Sequence, residues 1–191
     1  ASNVPIAVHD SAALISFAQQ QGVSLTIVGP EAPLAAGIVD AFQAAGLRVF
    51  GPSQAAAQLE ASKAFAKAFM REHGIPTADS VAFDRYEDAR HYVQTHPQPV
   101  VVKADGLAAG KGVIVCQDSS AALHAVQRMM GEREFGDAGN VVLLEELLCG
   151  PEVSLIAFCD GRTVQPLPPA RDHKRLLDGD QGPNTGGMGA F

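Results

Sequence analysis

Residues 25–50 carry the pattern that most limits what this chain can fold into. A short apolar run rich in β-formers covers residues 25–28 and ends at a Gly-Pro turn. Apolar positions at helical spacing follow over residues 33–45, and a second short apolar run covers residues 47–50. Two strands joined by one helix form a βαβ unit, and the strands of such a unit run parallel. The sequence therefore predicts a parallel sheet in its first third.

Two further helices flank this unit. Helical spacing of apolar residues predicts one helix over residues 11–20 and another over residues 62–73. Ser62 is a suitable N-cap for the second helix, and Gly74 suits its end. The Ile-Pro-Thr sequence at residues 75–77 interrupts the pattern, so we expect a domain junction there.

Beyond that junction the pattern is typical of an α+β region. Apolar runs predict strands at residues 81–83, 100–104, 113–116 and 141–145, with helices at 86–95 and 119–130. Residues 153–158 and 163–165 predict two more strands joined across an Asp-Gly turn. The tail over residues 171–189 is polar and rich in glycine, which predicts a loop. The expected fold class is thus α/β and α+β.

The loop within residues 103–113 (KADGLAAGKGV) is suited to bind a polyphosphate. Small residues let backbone N–H groups approach phosphates closely, and the flanking lysines supply positive charge. It is not a Walker A loop, because only three residues separate Gly106 from Gly110 and because Gly112 follows Lys111. It is not a dinucleotide fingerprint either, since a strand follows it. The loop by itself leaves a phosphate site and a ligand-free hairpin as equal alternatives.

Composition and charge exclude several other classes. The chain has 14 Lys and Arg against 21 Asp and Glu, a formal net charge of −7, which argues against nucleic acid as a partner. Three cysteines without a CxxC pair predict neither a disulfide framework nor a zinc site, and free thiols favour a cytoplasmic location. No apolar run is long enough to predict a membrane span, and the first residues do not resemble a signal peptide.

Several long motifs in one order resemble the glycinamide ribonucleotide synthetase family of ATP-grasp ligases. Three segments carry most of the resemblance, namely TIVGPEAPL at residues 26–34, the loop at residues 103–113, and GPNTGGMGA at residues 182–190. Shorter matches are GP at 51–52, LEASKAF at 59–65, FGDAG at 135–139 and DHKR at 172–175. The resemblance extends from residue 1 to residue 191 in the order that the family shows.

This resemblance implies both an architecture and a reaction. It implies a partial Rossmann-like pre-ATP-grasp domain at 1–60, the start of the ATP-grasp large lobe at 61–80, the small lid lobe at 81–147, and an incomplete continuation of the large lobe at 148–191. The implied reaction joins glycine to 5-phosphoribosylamine with ATP, through glycyl phosphate, and yields glycinamide ribonucleotide, ADP and phosphate in purine biosynthesis. Mg²⁺ or Mn²⁺ accompanies ATP in such a reaction, and the family resemblance favours a monomer or weak dimer.

The resemblance also implies a set of nucleotide-binding residues. Lys63 and Lys103 match lysines that reach the phosphates, and Lys103 needs a charged partner because it lies within a β-branched strand. Glu152 matches the carboxylate that accepts hydrogen bonds from the ribose hydroxyls. The remaining matches form the phosphate loop (Gly106, Ala108, Ala109, Gly110, Lys111 and Gly112) and the adenine-reading segment (Glu145, Glu146 and Leu148).

The implied substrate site lies mostly in the tail. Its residues match a loop around the sugar phosphate and glycine: Asp172, Lys174, Arg175, Pro183, Asn184, Thr185, Gly186, Gly187 and Met188. Lys103, Asp172 and Lys174 are the implied catalytic residues. Glu31 follows the first predicted strand, so it either contacts phosphoribosylamine or is a helix N-terminal carboxylate favoured by the dipole. Disorder is the alternative for the tail.

Two family features do not occur in the 191 residues: an opening glycine-rich loop and a Glu-x-Asn pair that holds magnesium. We therefore expect an internal fragment, with its metal ligands beyond Phe191 and with no turnover by itself. Two other functions stay open at this point. One is a sister ATP-grasp carboxylate–amine ligase, and the other is a non-catalytic nucleotide-binding module.

Overall fold

A computed structural model describes residues 2–108, 111–179 and 181–191, with the backbone alone for Pro183 and Asn184. The chain divides into two compact units. The first comprises Ala1–Thr77 and Asp105–Leu107, and the second comprises Ala78–Ala104 and Ala108–Phe191. The first long stretch thus ends at Thr77, within the predicted junction.

The first unit contains the predicted parallel strand pair. Strand β1 (Thr26–Ile27) pairs with β2 (Val49–Phe50) in parallel, with Thr26 opposite Val49, which confirms the βαβ unit. Its helices are α1 (Ser11–Gln20), α2 (Glu31–Ala35), α3 (Ile38–Ala44), α4 (Gln54–Ala61) and α5 (Lys63–Glu72). The core of this unit consists of Ala18, Ile38, Val39 and Phe42.

Two helices of this unit differ from the prediction. The single helix predicted over residues 33–45 is wrong, because Gly37 adopts a left-handed conformation (φ 85°) and separates α2 from α3. Only glycine takes that conformation without steric cost. The helix therefore breaks at Gly37, although the apolar residues keep their helical spacing on either side of it. Helix α4 was not predicted. It starts at Ser53, whose hydroxyl accepts a hydrogen bond from the Ala56 amide at 3.3 Å.

The second unit is built on an antiparallel sheet of four strands in the order β3, β6, β4, β5. These strands are β3 (Ser80–Phe83), β4 (Val100–Ala104), β5 (Val113–Cys116) and β6 (Val142–Glu146). Helices α6 (Tyr86–Thr95) and α7 (Ser119–Val126) pack against it through Val93, Ala122 and Val126, which lie in one core with Val102 and Leu144. The predicted elements are confirmed here, except that a π-helical turn, Gln127–Gly131, replaces the last turn predicted for α7.

The rest of this unit consists of paired strands. Strands β7 (Ala157–Cys159) and β8 (Val164–Pro166) form the predicted hairpin. Strand β7 is shorter than predicted, and β8 is shifted by one residue. The loop predicted for the tail is wrong, because β9 (Arg175–Leu177) and β10 (Gln181–Asn184) pair in antiparallel fashion. Backbone hydrogen bonds between strands need no apolar side chains. The spacing of apolar residues therefore could not predict this pairing.

Two other sequence observations are tested by the structure. All three cysteines are free thiols, with Cys116 buried and with Cys149 and Cys159 exposed. Among the described residues, no helix combines the length and apolar character needed to cross a bilayer.

Candidate functional site

The start of α5 holds Lys63 against the first residues of the glycine loop. The Lys63 Nζ donates hydrogen bonds to the carbonyl oxygens of Asp105 (3.3 Å) and Gly106 (3.2 Å). The Asp105 carboxylate accepts hydrogen bonds from the Ala64 amide (2.6 Å) and from the Ser62 hydroxyl (3.1 Å). Ser62 is the predicted N-cap, and its Oγ accepts from the Phe65 amide at 3.0 Å. The positive end of the helix dipole therefore faces a carboxylate, which is the favourable arrangement.

Lys103 has the charged partner that its position in the strand predicts. Its Nζ lies 2.7 Å from Oε1 of Glu145, and the two side chains are 24% and 10% exposed. Strand register explains the contact, because Lys103 on β4 lies opposite Leu143 on β6 and Glu145 is the diagonal neighbour two residues on. Glu145 therefore faces the lysine of the glycine hairpin within the sheet.

The glycine loop is a hairpin between β4 and β5. The Ala104 amide donates to the carbonyl of Gly112 (2.8 Å), and the Lys111 amide donates to that of Ala108 (2.9 Å). A Cβ at Gly112 would lie 2.7 Å from the Ala108 Cβ and 3.0 Å from the Ala104 Cβ, so the hairpin neck requires glycine there. The predicted phosphate-loop residues Ala109 and Gly110 lie outside the described residues.

The segment predicted to read adenine begins where β6 ends. The Glu146 amide donates to the Asp79 carbonyl (2.8 Å), and the Asp79 amide donates to the Glu146 carboxylate (3.3 Å). Glu146 thus extends the pairing of β3 with β6 by its side chain as well as its backbone. The Leu148 side chain is 65% exposed.

The structure brings Glu152 together with three residues of the predicted substrate site. A cleft of about 190 Å³ is lined by Glu152, Asp172, Lys174 and Arg175, along with Val115, Gly150, Arg171 and His173. The Lys174 Nζ lies 3.1 Å from Oε2 of Glu152, and both side chains are at least half exposed. Three cations and two carboxylates in one cleft form a polar site in which an anionic group would find charged hydrogen-bond donors.

The tail over residues 171–179 and 181–191 is a hydrogen-bonded ribbon that contains β9 and β10, and it shapes this cleft. The Thr185 amide and hydroxyl both donate to the Lys174 carbonyl, at 2.7 and 2.9 Å, and the Arg175 guanidinium donates to the Gly182 carbonyl at 2.7 Å. The Thr185 hydroxyl also accepts from the Gly187 amide at 3.0 Å. Thr185 therefore links the Lys174 carbonyl to the Gly187 amide. A Cβ added at Gly187 would lie 3.3 Å from the Asp172 carboxylate.

The other tail residues of the predicted site lie along the same ribbon. The Met188 amide donates to the His173 carbonyl at 2.7 Å, while the Met188 side chain is 56% exposed. Gly186 is exposed. The backbone of Pro183 and Asn184 belongs to β10, and their side chains lie outside the described residues.

Glu31 belongs to the first unit. It is the exposed first residue of α2 and comes four residues after the end of β1. Both interpretations of its carboxylate, a ligand contact and a dipole-favoured helix start, are compatible with that position.

Asp105 is the residue that sequence analysis missed. It lies 43 positions from Ser62 and 41 from Ala64, so no local capping pattern shows the contact. An Asp between Ala and Gly in a glycine loop is typical of a turn, and that reading conceals its role as a cap for a distant helix.

A metal site made of protein side chains alone needs several His, Cys, Asp or Glu side chains close together. Within residues 2–108, 111–179 and 181–191, no three His, Cys, Asp or Glu side chains converge in a way that could hold a metal ion. Magnesium prefers oxygen ligands from carboxylates together with substrate phosphates.

Comparison with known proteins identifies the family. The model of the phosphoribosylglycinamide synthetase N domain matches residues 1–60, and the model of its ATP-grasp (A) domain matches residues 61–191. The phosphoribosylamine–glycine ligase of Ralstonia nicotianae is 57% identical over 99% of this chain. The chain spans only 44% of that relative's length.

Solved structures agree on the ATP-grasp fold. A phosphoribosylamine–glycine ligase from Thermotoga maritima matches with a TM-score of 0.69 and 43% identity, over 75% of this chain and 37% of that chain. A biotin carboxylase domain from Hydrogenobacter thermophilus, in complex with MgADP, ADP and bicarbonate, matches with a TM-score of 0.72 over 91% of this chain and 40% of that one. At 18% identity the second match shows the fold alone. The chain belongs to the phosphoribosylglycinamide synthetase family.

Proposed function

We propose that the protein ligates glycine to 5-phosphoribosylamine at the expense of ATP. A glycine carboxylate oxygen attacks the γ-phosphorus, ADP leaves, and glycyl phosphate forms. The amine of phosphoribosylamine then attacks the acyl carbon; the C–N bond forms, the bond from carbon to the phosphate oxygen breaks, and phosphate leaves as the amine loses a proton. Such chemistry depends on positioning and on charge neutralisation more than on covalent catalysis by the protein.

The cleft of the second unit is the observation that carries this proposal. The Glu152 Oε2 lies 3.1 Å from the Lys174 Nζ. We expect Glu152 to contact the ribose and Lys174 to contact the substrate. An acceptor for hydroxyls beside a cation for phosphate and carboxylate groups is the arrangement that a ligase needs where ATP meets its substrate. Family membership and the relatives named as phosphoribosylamine–glycine ligases support the same reaction.

Each remaining residue has a proposed task. Lys63, Lys103, Lys111 and the loop amides would neutralise and hold the phosphates of ATP. The Lys103 Nζ is held by its 2.7 Å contact with the Glu145 carboxylate. Arg175 and the backbone amides of the tail would bind the sugar phosphate and the glycine carboxylate. We also propose roles for Glu145, Glu146 and Leu148 at the adenine and for Glu31 at phosphoribosylamine.

The proposal includes Mg²⁺ or Mn²⁺ with ATP, supplying charge neutralisation between the phosphates when it is bound. It assigns the ion no ligand from the described residues. We also propose a cytoplasmic location, which the three free cysteines support. We further propose a monomer or weak dimer, and sedimentation equilibrium would test that oligomeric state.

The domain assignment is likewise a proposal. Residues 1–60 form the C-terminal part of the pre-ATP-grasp domain, and residues 81–147 form the lid lobe. Residues 61–80 are the start of the large lobe and residues 148–191 its incomplete continuation. The four-stranded sheet with α6 and α7 supports the lid assignment, because it has its own core.

The test is an assay on the product of the complete reading frame that encodes this chain. We expect glycinamide ribonucleotide and one phosphate per ATP from glycine and 5-phosphoribosylamine. Lys174→Met should lower kcat/KM for phosphoribosylamine by about 100-fold, because a charged hydrogen-bond donor is lost. Arg90→Gln is the matched control, since Arg90 pairs with Glu87 on an exposed face of α6, and it should leave kcat/KM unchanged.

Two outcomes would contradict the proposal. Turnover with D-alanine or bicarbonate in place of glycine would indicate a sister ATP-grasp enzyme. ATP binding without product formation from any carboxylate and amine would indicate a nucleotide-binding module.

A further inference from the structure

We propose that Asp105 is a positioning residue for Lys63, and that it sets the affinity of the protein for ATP through that lysine. This inference rests on the proposed function, because it assigns Lys63 to the ATP phosphates. The observation behind it is a closed set of hydrogen bonds between the start of α5 and the first two residues of the glycine loop.

The Asp105 carboxylate fixes the helix. It accepts from the Ala64 amide at 2.6 Å and from the Ser62 hydroxyl at 3.1 Å, so it binds both the first turn of α5 and the residue that caps it. Hydrogen bonds between a carboxylate and helix N-terminal groups are charge-assisted and stronger than neutral ones. The backbone of Lys63, between these two residues, is therefore held from both sides.

The Asp105 backbone fixes the side chain of Lys63. The Asp105 carbonyl accepts from the Lys63 Nζ at 3.3 Å and from the Lys63 amide at 3.3 Å, and the next carbonyl, of Gly106, accepts from the Nζ at 3.2 Å. A long lysine side chain loses up to about 2 kcal/mol of rotamer entropy when it is ordered. These contacts order it before the ligand arrives, and a group ordered in advance binds its ligand more tightly.

The two sets of contacts are linked through a single residue. If the carboxylate is removed, Asp105 loses its contacts with the Ala64 amide and the Ser62 hydroxyl and keeps the longer bond from the Lys63 amide to its carbonyl. That carbonyl is then held less firmly relative to the Lys63 ammonium. The effect on ATP should therefore require Lys63. A merely structural cap would lower stability without a selective effect on ATP.

The experiment compares variants of the complete reading-frame product by steady-state kinetics and by titration with ADP. We expect Asp105→Ala to raise the KM for ATP and the Kd for ADP about tenfold, the effect of losing one charge-assisted contact. The KM for glycine should not change. Asp105→Asn keeps an acceptor for the Ala64 amide, so its values should lie between those of Asp105→Ala and the wild type.

Asp118→Ala is the matched control. Asp118 caps α7 and accepts from the Ala121 amide at 2.8 Å, so its loss removes the same kind of bond from another helix. It should lower Tm while leaving the KM for ATP unchanged. The double variant Lys63→Met/Asp105→Ala should bind ADP no more weakly than Lys63→Met, because Asp105 acts through Lys63.

Two results would overturn the inference alone, with the wild-type product active. One is an unchanged KM for ATP in both Asp105 variants; the other is additive losses of ADP affinity in the double variant. A wild-type product that neither binds ADP nor consumes ATP with glycine and phosphoribosylamine would overturn the proposed function, and the inference with it.

Discussion

At the scale of single residues, the Lys103–Glu145 ion pair and the Cys116 thiol lead to specific predictions about stability. Lys103 and Glu145 form an ion pair with 24% and 10% of their side chains exposed. Cys116 is a free thiol at the end of β5 and is fully buried. The Glu145 side chain and the Cys116 thiol are buried, and a change in charge has its largest effect at a buried position.

Glu145→Leu should lower the free energy of unfolding by about 3 kcal/mol, because it leaves the Lys103 ammonium in the sheet without its carboxylate. Lys103→Met/Glu145→Leu should recover most of that loss, since it removes both charges. Urea unfolding monitored by circular dichroism measures both values. Glu87→Leu, on the exposed face of α6, is the control and should change the free energy by less than about 0.5 kcal/mol. A double variant as unstable as the single one would contradict this account.

Burial raises the pKa of the Cys116 thiol from 9.0 to about 11. The folded state therefore holds this proton more tightly than the unfolded state does. Its contribution to stability is complete below pH 9 and is lost as the pH rises to about 11, a loss of about 2–3 kcal/mol. Urea unfolding at pH 8 and pH 11 should show this loss in the wild type and a smaller one in Cys116→Ala.

Thiol labelling provides an independent check on the same residue. At pH 8, a disulfide reagent should label the exposed Cys149 and Cys159 rapidly and Cys116 only after denaturant is added. Rapid labelling of all three thiols in the native protein would contradict a buried Cys116.

At the scale of elements, the hairpin neck between β4 and β5 leaves no room for a side chain at Gly112. The Ala104 amide and the Gly112 carbonyl close the neck at 2.8 Å, and the methyl groups of Ala104 and Ala108 fill the space over Gly112. Small residues in the loop thus have a packing role as well as the phosphate role suggested by their pattern.

Gly112→Ala should lower the free energy of unfolding by about 1–3 kcal/mol, because its Cβ would lie 2.7 Å from that of Ala108. It should also weaken ADP binding to the complete reading-frame product. Gly29→Ala is the matched control, since a Cβ at Gly29 meets no atom within 4 Å. Thermal unfolding and ADP titration measure both effects. Equal stability of the two variants would show that the neck accommodates a methyl group.

At the scale of the whole molecule, ATP binding should stabilise the complete reading-frame product against unfolding. A ligand at 100 times its Kd adds about 2.7 kcal/mol when it binds only the folded state. Tm should therefore rise with ATP in the presence of magnesium and rise less in Lys63→Met and in Lys103→Met. Inorganic phosphate at the same concentration is the control. A rise in Tm that is identical in wild type and both lysine variants would contradict the assignment of the lysines to ATP.

Much of the fold could be predicted because most elements are specified locally. Helix α1, helix α6 and strands β4 and β5 have the predicted bounds, since their apolar period and end residues lie within the segment itself. The break at Gly37 and the ribbon of the tail could not be predicted in this way. A single glycine conformation and a backbone ladder leave no trace in apolar periodicity.

The sequence by itself determined the family, the parallel pair at the start, the order of the elements, and the need of Lys103 for a charged partner. The tertiary structure decided which residues meet those needs. Glu145 pairs with Lys103 across 42 positions, Asp105 caps α5 across 43, and Lys174 meets Glu152 across 22. The physical reason is the range of the signal: periodicity and capping act within a few residues, while strand register and loop closure bring together residues far apart in the chain.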